Sequence, residues 1–176
     1  SPLMNEVLYD PVETGSDEAA SEWVELCNPT GEDIDLSGWT LQRAGSAFDD
    51  MTTLPAGTVI SAGDYLLISG PFDQTMQNGG SATDGVRLLN SSGGVVDTIL
   101  YDQPNTNNLQ DDWGSVNGPF APDVSAGHSL ARFPDCLELN NDASDWIDSA
   151  NPTPNSENTS SSSGGGTSGC VETVDP

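Results

Sequence analysis

Lysine is absent from the chain, and three arginines (Arg43, Arg87 and Arg132) stand against 28 aspartates and glutamates, a formal net charge of −25. Phosphate backbones and anionic lipid surfaces recruit Lys and Arg. This balance therefore argues against nucleic acid and membrane surfaces as partners and leaves cations, chiefly calcium, and basic proteins. Such a surplus also keeps a protein dispersed in a salty or calcium-rich exterior, where screening shortens the reach of self-repulsion. Histidine occurs once, at His128, so any Ser-His-Asp or Cys-His device would have to use it. Beside Ser129, at the start of a predicted strand, it reads as structural. The carboxylate pairs Asp49-Asp50 and Asp111-Asp112 are neighbours in sequence, not the opposed pair that glycoside hydrolysis requires. No catalytic residue is assigned, and the expectation is a non-enzyme.

No apolar run approaches the roughly 20 residues of a membrane-spanning helix, and no segment carries a helical stripe beyond two turns. The three cysteines, Cys27, Cys136 and Cys170, include no C-x-x-C spacing, which removes zinc-ribbon and thioredoxin-like readings. An odd count leaves one thiol over after a single intramolecular bridge and raises intermolecular pairing. The acidic, lysine-free composition suggests an extracellular or cell-surface chain, where disulfides persist.

What is present is a series of short strands. Leu3–Tyr9 (LMNEVLY) is an apolar run closed by Asp10-Pro11. In Glu22–Leu41, Val24 and Leu26 share one face of an extended segment while Trp23, Glu25 and Cys27 share the other. Asn28-Pro29-Thr30-Gly31 stops that strand, and Ile34, Leu36, Trp39 and Leu41 carry a second. This pair is expected at the centre of an antiparallel sandwich. Arg43–Thr53 is polar and reads as a loop leaving the body. Tyr65–Ser69 (YLLIS) reads as a strand buried on both faces. Gly85–Asn90 and Val95–Tyr101 flank Ser91-Ser92-Gly93-Gly94, a hairpin signal. Asp102–Gly127, too long for an idle loop, precedes strands at His128–Phe133 and Asp145–Ile147. Many short strands with Gly/Pro turns indicate an all-β sandwich or barrel. Residues 1–154 form the expected domain, 155–169 a Ser/Gly-rich composition typical of a flexible linker, and 170–176 a cysteine-containing segment.

LMNEVLYDP (3–11), SEWVELCNPT (21–30), DLSGWTL (35–41), LPAGTVISAGDYLLIS (54–69), GVRLLNSSGGVVD (85–97), HSLARFPD (128–135) and DWIDSANPTPN (145–155) follow one another in that order. Together, over roughly residues 2 to 155, they resemble the lamin tail domain in its bacterial secreted and cell-surface form. The resemblance implies an immunoglobulin-like β-sandwich, here of about seven to nine strands, without catalytic machinery. It also implies tethering or binding, since such bacterial domains are appended to secreted nucleases, other hydrolases or surface assemblies. Cys27 stands where that family more often has an aromatic or polar residue, and the segment with Cys170 lies outside the resemblance.

Two kinds of site are expected. Calcium takes six to eight oxygens, and the loop with Asp135, Glu138, Asn140, Asn141, Asp142 and Asp145 is the densest source. A second acid-rich loop holds Asp10, Glu13, Asp17 and Glu18. Neither fits the EF-hand spacing, and Asn and Asp are also ordinary turn residues. The metal candidates are Asp135, Asn140, Asp142 and Asp145, with calcium the only cofactor considered. Among the cysteines, Cys27 shares its strand face with Glu25, which turns it away from the apolar face and leaves it reachable. Cys170 follows a linker able to span several tens of Å. It precedes Val171 and Val174, which suit docking as an added strand. A Cys170–Cys27 or Cys170–Cys136 bridge between copies would make a head-to-tail chain. The intramolecular alternatives are a Cys136–Cys170 clip with Cys27 spare, or a tail that leads only to another domain. Trp23 is a further interaction candidate. Asn90-Ser91-Ser92 and Asn158-Thr159-Ser160 fit the N-glycosylation pattern.

The leading expectation is a non-catalytic extracellular structural module that self-assembles through its tail into a homo-oligomer, polymer or surface filament. The alternative is a calcium-dependent or protein-binding module that tethers a secreted enzyme or attaches to surface proteins.

Overall fold

The computed structural model describes residues 1–79 and 81–160. Alternation of apolar and polar side chains builds two antiparallel sheets, joined face to face. The first has five strands in the order β11-β10-β1-β2-β7: Trp146–Ser149, Ser129–Arg132, Leu3–Leu8, Trp23–Cys27 and Tyr65–Ser69. The second has four in the order β5-β4-β8-β9: Phe48–Thr53, Thr40–Ala44, Asp84–Leu89 and Val95–Tyr101. A two-stranded piece, β3 (Ile34–Asp35) with β6 (Val59–Ile60), closes one end. Among the described residues helix is confined to single turns, α1 at Glu18–Ser21 and α2 at Asp142–Asp145, with a 3-10 turn at Gly15–Asp17.

The core lies between the inner faces. Val7, Val24, Leu26 and Leu130 from the first sheet meet Leu41, Val86, Leu88 and Ile99 from the second, all fully buried. Tyr9 stacks on Tyr101 with ring centroids 4.1 Å apart. Burying one such side chain contributes roughly 1.5–3 kcal/mol, so this double layer dominates the stability. The β8–β9 turn is the one the sequence predicts: Asn90 N–H donates to Gly94 O, and Asn90 Oδ1 accepts from Ser92 and Gly94 N–H. The long 102–127 connection packs on the outer face of the second sheet. There Leu109, with Phe120, joins Ala44, Leu100 and Phe48 in a small second cluster.

Three expectations are corrected. The two strands of Glu22–Leu41 do not pair: β2 lies between β1 and β7, β4 between β5 and β8, so the segment crosses from one sheet to the other. Residues 48–53 are a strand, not a loop. Its polar run FDDMTT is that of a sheet edge, with Asp49 and Asp50 exposed and Met51 buried. Tyr65–Ser69 is likewise an edge strand, half-buried rather than covered on both faces. Packing also runs past the expected boundary at 154, because Asn158 is 2% exposed.

Candidate interaction surface

The outer face of the five-stranded sheet carries Glu6, Glu25, Cys27 and Tyr65, as the alternation in β1, β2 and β7 requires. In a sandwich this face normally meets water. Here Asn5, Glu6 and Glu25 are all 0% exposed, because residues 151–158 return across it as a strap. Thr153 N–H donates to both Glu6 oxygens at 3.0 Å, and Asn155 N–H donates to Glu25 Oε2. Ser129 Oγ donates to Glu6 at 2.5 Å. Asn158 closes the strap: its Nδ2 donates to Asn5 O at 2.8 Å and to Arg132 O at 3.0 Å.

Glu6 and Glu25 stand directly opposite in the β1–β2 register. Among the described residues their donors are neutral, while the arginine ion pairs involve Arg43 and Arg132. Burial pushes the Glu25 carboxyl up to about 7, helped by the negative neighbours Glu6 and Asp135. Burial raises Glu6 as well, against the hydrogen bonds from Ser129 and Thr153. Like charges opposed on a sheet repel, and removal from water disfavours the ionised form. A proton held on this pair near neutrality relieves both.

Cys27 and Cys136 form a disulfide across 109 residues of sequence. This corrects the expected pairings: neither cysteine bridges Cys170, and Cys27 is 1% exposed although it lies on the outward face. The reason is non-local. The loop carrying Cys136 is drawn onto that face by Asn5, whose Oδ1 accepts from Cys136 N–H at 2.9 Å. Asn5 Nδ2 donates to Asp135 at 3.0 Å, and Asp135 also accepts from the Tyr65 hydroxyl at 2.7 Å and Asn158 N–H at 2.8 Å. Trp23, half-buried, lies opposite Ser69 one strand in from the β7 edge. Cys170, Val171 and Val174 lie outside the described residues.

The four metal candidates are not gathered. Asp135 accepts Asn158 N–H of the strap at 2.8 Å. Asp145 accepts Leu139 and Asn141 N–H at 2.8 and 3.1 Å, Asp142 accepts Leu100 N–H at 3.0 Å, and Asn140 Oδ1 takes the Trp113 indole N–H. No group of three or more His, Cys, Asp or Glu among the described residues is disposed to hold an ion. His128 Nδ1 lies 2.7 Å from Asp148, while the neighbouring Ser129 hydroxyl points to Glu6. That geometry does not align a nucleophile with the ring. The hollow between the 45–47 and 77–84 loops, about 300 Å³, is lined by Gly45, Ser46, Gln77, Asp84 and Asn107 without histidine or cysteine. Asn158, one of the two glycosylation matches, has its side chain buried in the strap.

Sequence reasoning missed the strap and the buried cluster around Arg132. Arg132 is 0% exposed and lies over the Trp146 ring, 4.5 Å from its centroid. Its Nε donates to Met4 O at 2.9 Å, and its guanidinium meets Asp97 at 3.2 Å and Glu138 at 2.7 Å. Because Asp97 sits on β9 and accepts Met4 N–H from β1, the cluster joins the two sheets. The only signal in the sequence was an arginine inside the apolar run HSLARF.

Taken together, two antiparallel sheets packed over one core define an immunoglobulin-like β-sandwich. The family model of the lamin tail domain matches residues 2–103, and the chain belongs to that family. No curated protein matches it. Lamin tail domains are immunoglobulin-like structural and protein-interaction domains, not an enzyme family. The family match ends after β9, whereas β10, β11 and the strap complete the first sheet.

Proposed function

We propose that this domain is a non-catalytic extracellular structural module that joins neighbouring copies through the segment following residue 160, with Cys170 forming the bond between chains. The observation that supports this reading is the Cys27–Cys136 disulfide. It uses two of the three cysteines inside the fold and leaves Cys170 as the odd one. A disulfide with a sequence separation of 109 suits an oxidising exterior, and no helix among the described residues is long and apolar enough to cross a membrane. With Cys27 taken, the covalent product is a Cys170–Cys170 pair. Copies are then joined two by two, and any longer assembly needs a second, non-covalent contact.

The test is a denaturing gel with and without thiol reductant. The expected non-reduced band has twice the 18.3 kDa of the chain, collapses on reduction and is absent in Cys170→Ser. A monomer band in both lanes would overturn the covalent link. The family's interaction role would then rest on the alternative, in which the Ser/Gly-rich sequence after residue 160 links this module to a protein that it tethers.

A further inference from the structure

An edge strand offers unpaired N–H and C=O groups to any extended chain, and folded sheets blunt that hazard with charge, brevity or cover. Three of the four edges of the two large sheets are blunted. On β5 the exposed side chains include Asp49 and Asp50. β11 has four residues with an exposed Asp148. β9 is covered: Ala121 N–H donates to Leu100 O, and Asp142 takes Leu100 N–H. β7 has none of these devices. Its sequence is Tyr-Leu-Leu-Ile-Ser, without charge or proline, and Tyr65 to Ile68 are half-buried.

The direction of its hydrogen bonds follows from two flanking contacts. Asn28 N–H donates to Asp64 O and Gly70 N–H to Glu22 O, each at 3.0 Å. In an antiparallel ladder bonded pairs alternate, so Leu66 and Ile68 bond to β2. The backbone groups of Tyr65, Leu67 and Ser69 face outward, with no backbone partner among the described residues.

We propose that the open edge of β7 is the docking site of residues 170–174 of the same chain, which add to it as a sixth strand. This rests on the tail-mediated reading above and names its contact. The Asp135 carboxylate holds the Tyr65 hydroxyl with one oxygen and Asn158 N–H with the other. The chain therefore leaves the body beside the first residue of β7. Residues 161–169 reach at most about 30 Å, more than the roughly 17 Å of a five-residue strand, and so short a tether gives a high effective concentration. Cys-Val-Glu-Thr-Val matches β7 in length. In an extended segment Val171 and Val174 fall on opposite faces. β7 is apolar on both, with Leu66 and Ile68 toward the core and Tyr65 and Leu67 away from it. An edge filled from its own chain in an isolated copy becomes, when segments are exchanged, the non-covalent contact of an assembly.

The test is amide hydrogen exchange on the full chain carrying Cys170→Ser, at a dilution where copies do not meet. The Cys170→Ser background separates it from the gel, which reads only the covalent bond. The expected result is protection of the outward amides of Leu67 and Ser69, with exchange at least about tenfold faster in Val171→Asp/Val174→Asp. Both substitutions leave every residue of the described sandwich unchanged. Unprotected Leu67 and Ser69 amides would overturn the proposal. So would protection indifferent to the two valine substitutions, which would assign the cover to something else. Protection that rises with concentration and ignores the valines would mean β7-to-β7 pairing between copies, and would also overturn it.

Discussion

Asp97, Glu138 and Asp145 are gathered around one guanidinium, whereas Glu6 and Glu25, both fully buried, face each other with only neutral donors. At Arg132 the buried charges compensate one another, with the cation also stacked on Trp146. Under the strap the compensation comes from N–H groups of Thr153 and Asn155, the Ser129 hydroxyl and the Asn5 amide. A chain with three arginines and no lysine cannot give each buried carboxylate a cation. It places one where the two sheets meet and covers the remaining acids with backbone donors and protons. The first device depends on a single side chain, the second on pH and on the strap staying down.

Breaking the first device has the largest expected effect. Arg132→Met keeps an unbranched side chain but removes the guanidinium that lies over Trp146 and leaves Asp97, Glu138 and Asp145 without their cation. Removing one partner of a buried ion cluster costs about 3–5 kcal/mol. At roughly 2–4 °C per kcal/mol for a domain of this size, the thermal midpoint at pH 7.5 should fall by about 10 °C or more. A fall of only a degree or two in differential scanning calorimetry would mean that the cluster is not the tie between the sheets.

Lowering the pH tests the second device. Burial holds Glu22 and Glu25 at about 7 and Asp142 at about 8, and Glu138 stands at about 7 despite Arg132. For an acid raised in the native state, the unfolded chain loses its proton first as pH rises. Between about pH 4.5 and 8 the native state thus binds more protons, and stability falls with increasing pH. A carboxyl whose pKa differs by one between folded and unfolded chain contributes about 1.4 kcal/mol to that fall. Even with heavy solvent screening, the midpoint at pH 5 should exceed that at pH 8 by at least ~5 °C. Surface self-repulsion acts in the same direction, but about 1 M salt shrinks the Debye length to ~3 Å and suppresses it. A pH dependence that vanishes in high salt would assign the effect to the surface and not to the buried acids.

These two regions also mark the limit of what the sequence makes legible. Local patterns reveal β1, β2 and the β8–β9 hairpin, because alternation and the Asn90–Gly94 turn are written within a few residues. The ordered run of motifs points to the family as well. Edge position is not local: FDDMTT reads as loop and YLLIS as a central strand until their neighbours are known. The Cys27–Cys136 bond was hidden for a related reason. Alternation correctly turns Cys27 outward, but only the returning 151–158 segment and the 135–136 loop make that face an interior. Backbone N–H groups of Thr153 and Asn155 are among the donors to Glu6 and Glu25, and they leave no mark in a string of side chains. Asp135, Asn140, Asp142 and Asp145 read as a calcium set from the density of oxygen side chains, yet each accepts its own protein donor.

The smallest expected effect separates the strap from the acids that it covers. Asn158→Ala removes the amide that donates to Asn5 O and Arg132 O, leaving two buried carbonyls with one fewer donor. A loss of about 1–2 kcal/mol is expected, a midpoint lower by roughly 3–6 °C at pH 5. The informative quantity is the change with pH. If the strap loosens, water reaches Glu6 and Glu25, their carboxyls move back toward the ordinary glutamate range, and the difference between pH 5 and pH 8 shrinks relative to the parent chain. Arg132→Met, acting at the other region, should leave the contribution of Glu25 to that slope in place. An Asn158→Ala domain that is destabilised with its pH slope intact would show that the strap adds packing but does not control the protonation of the pair beneath it.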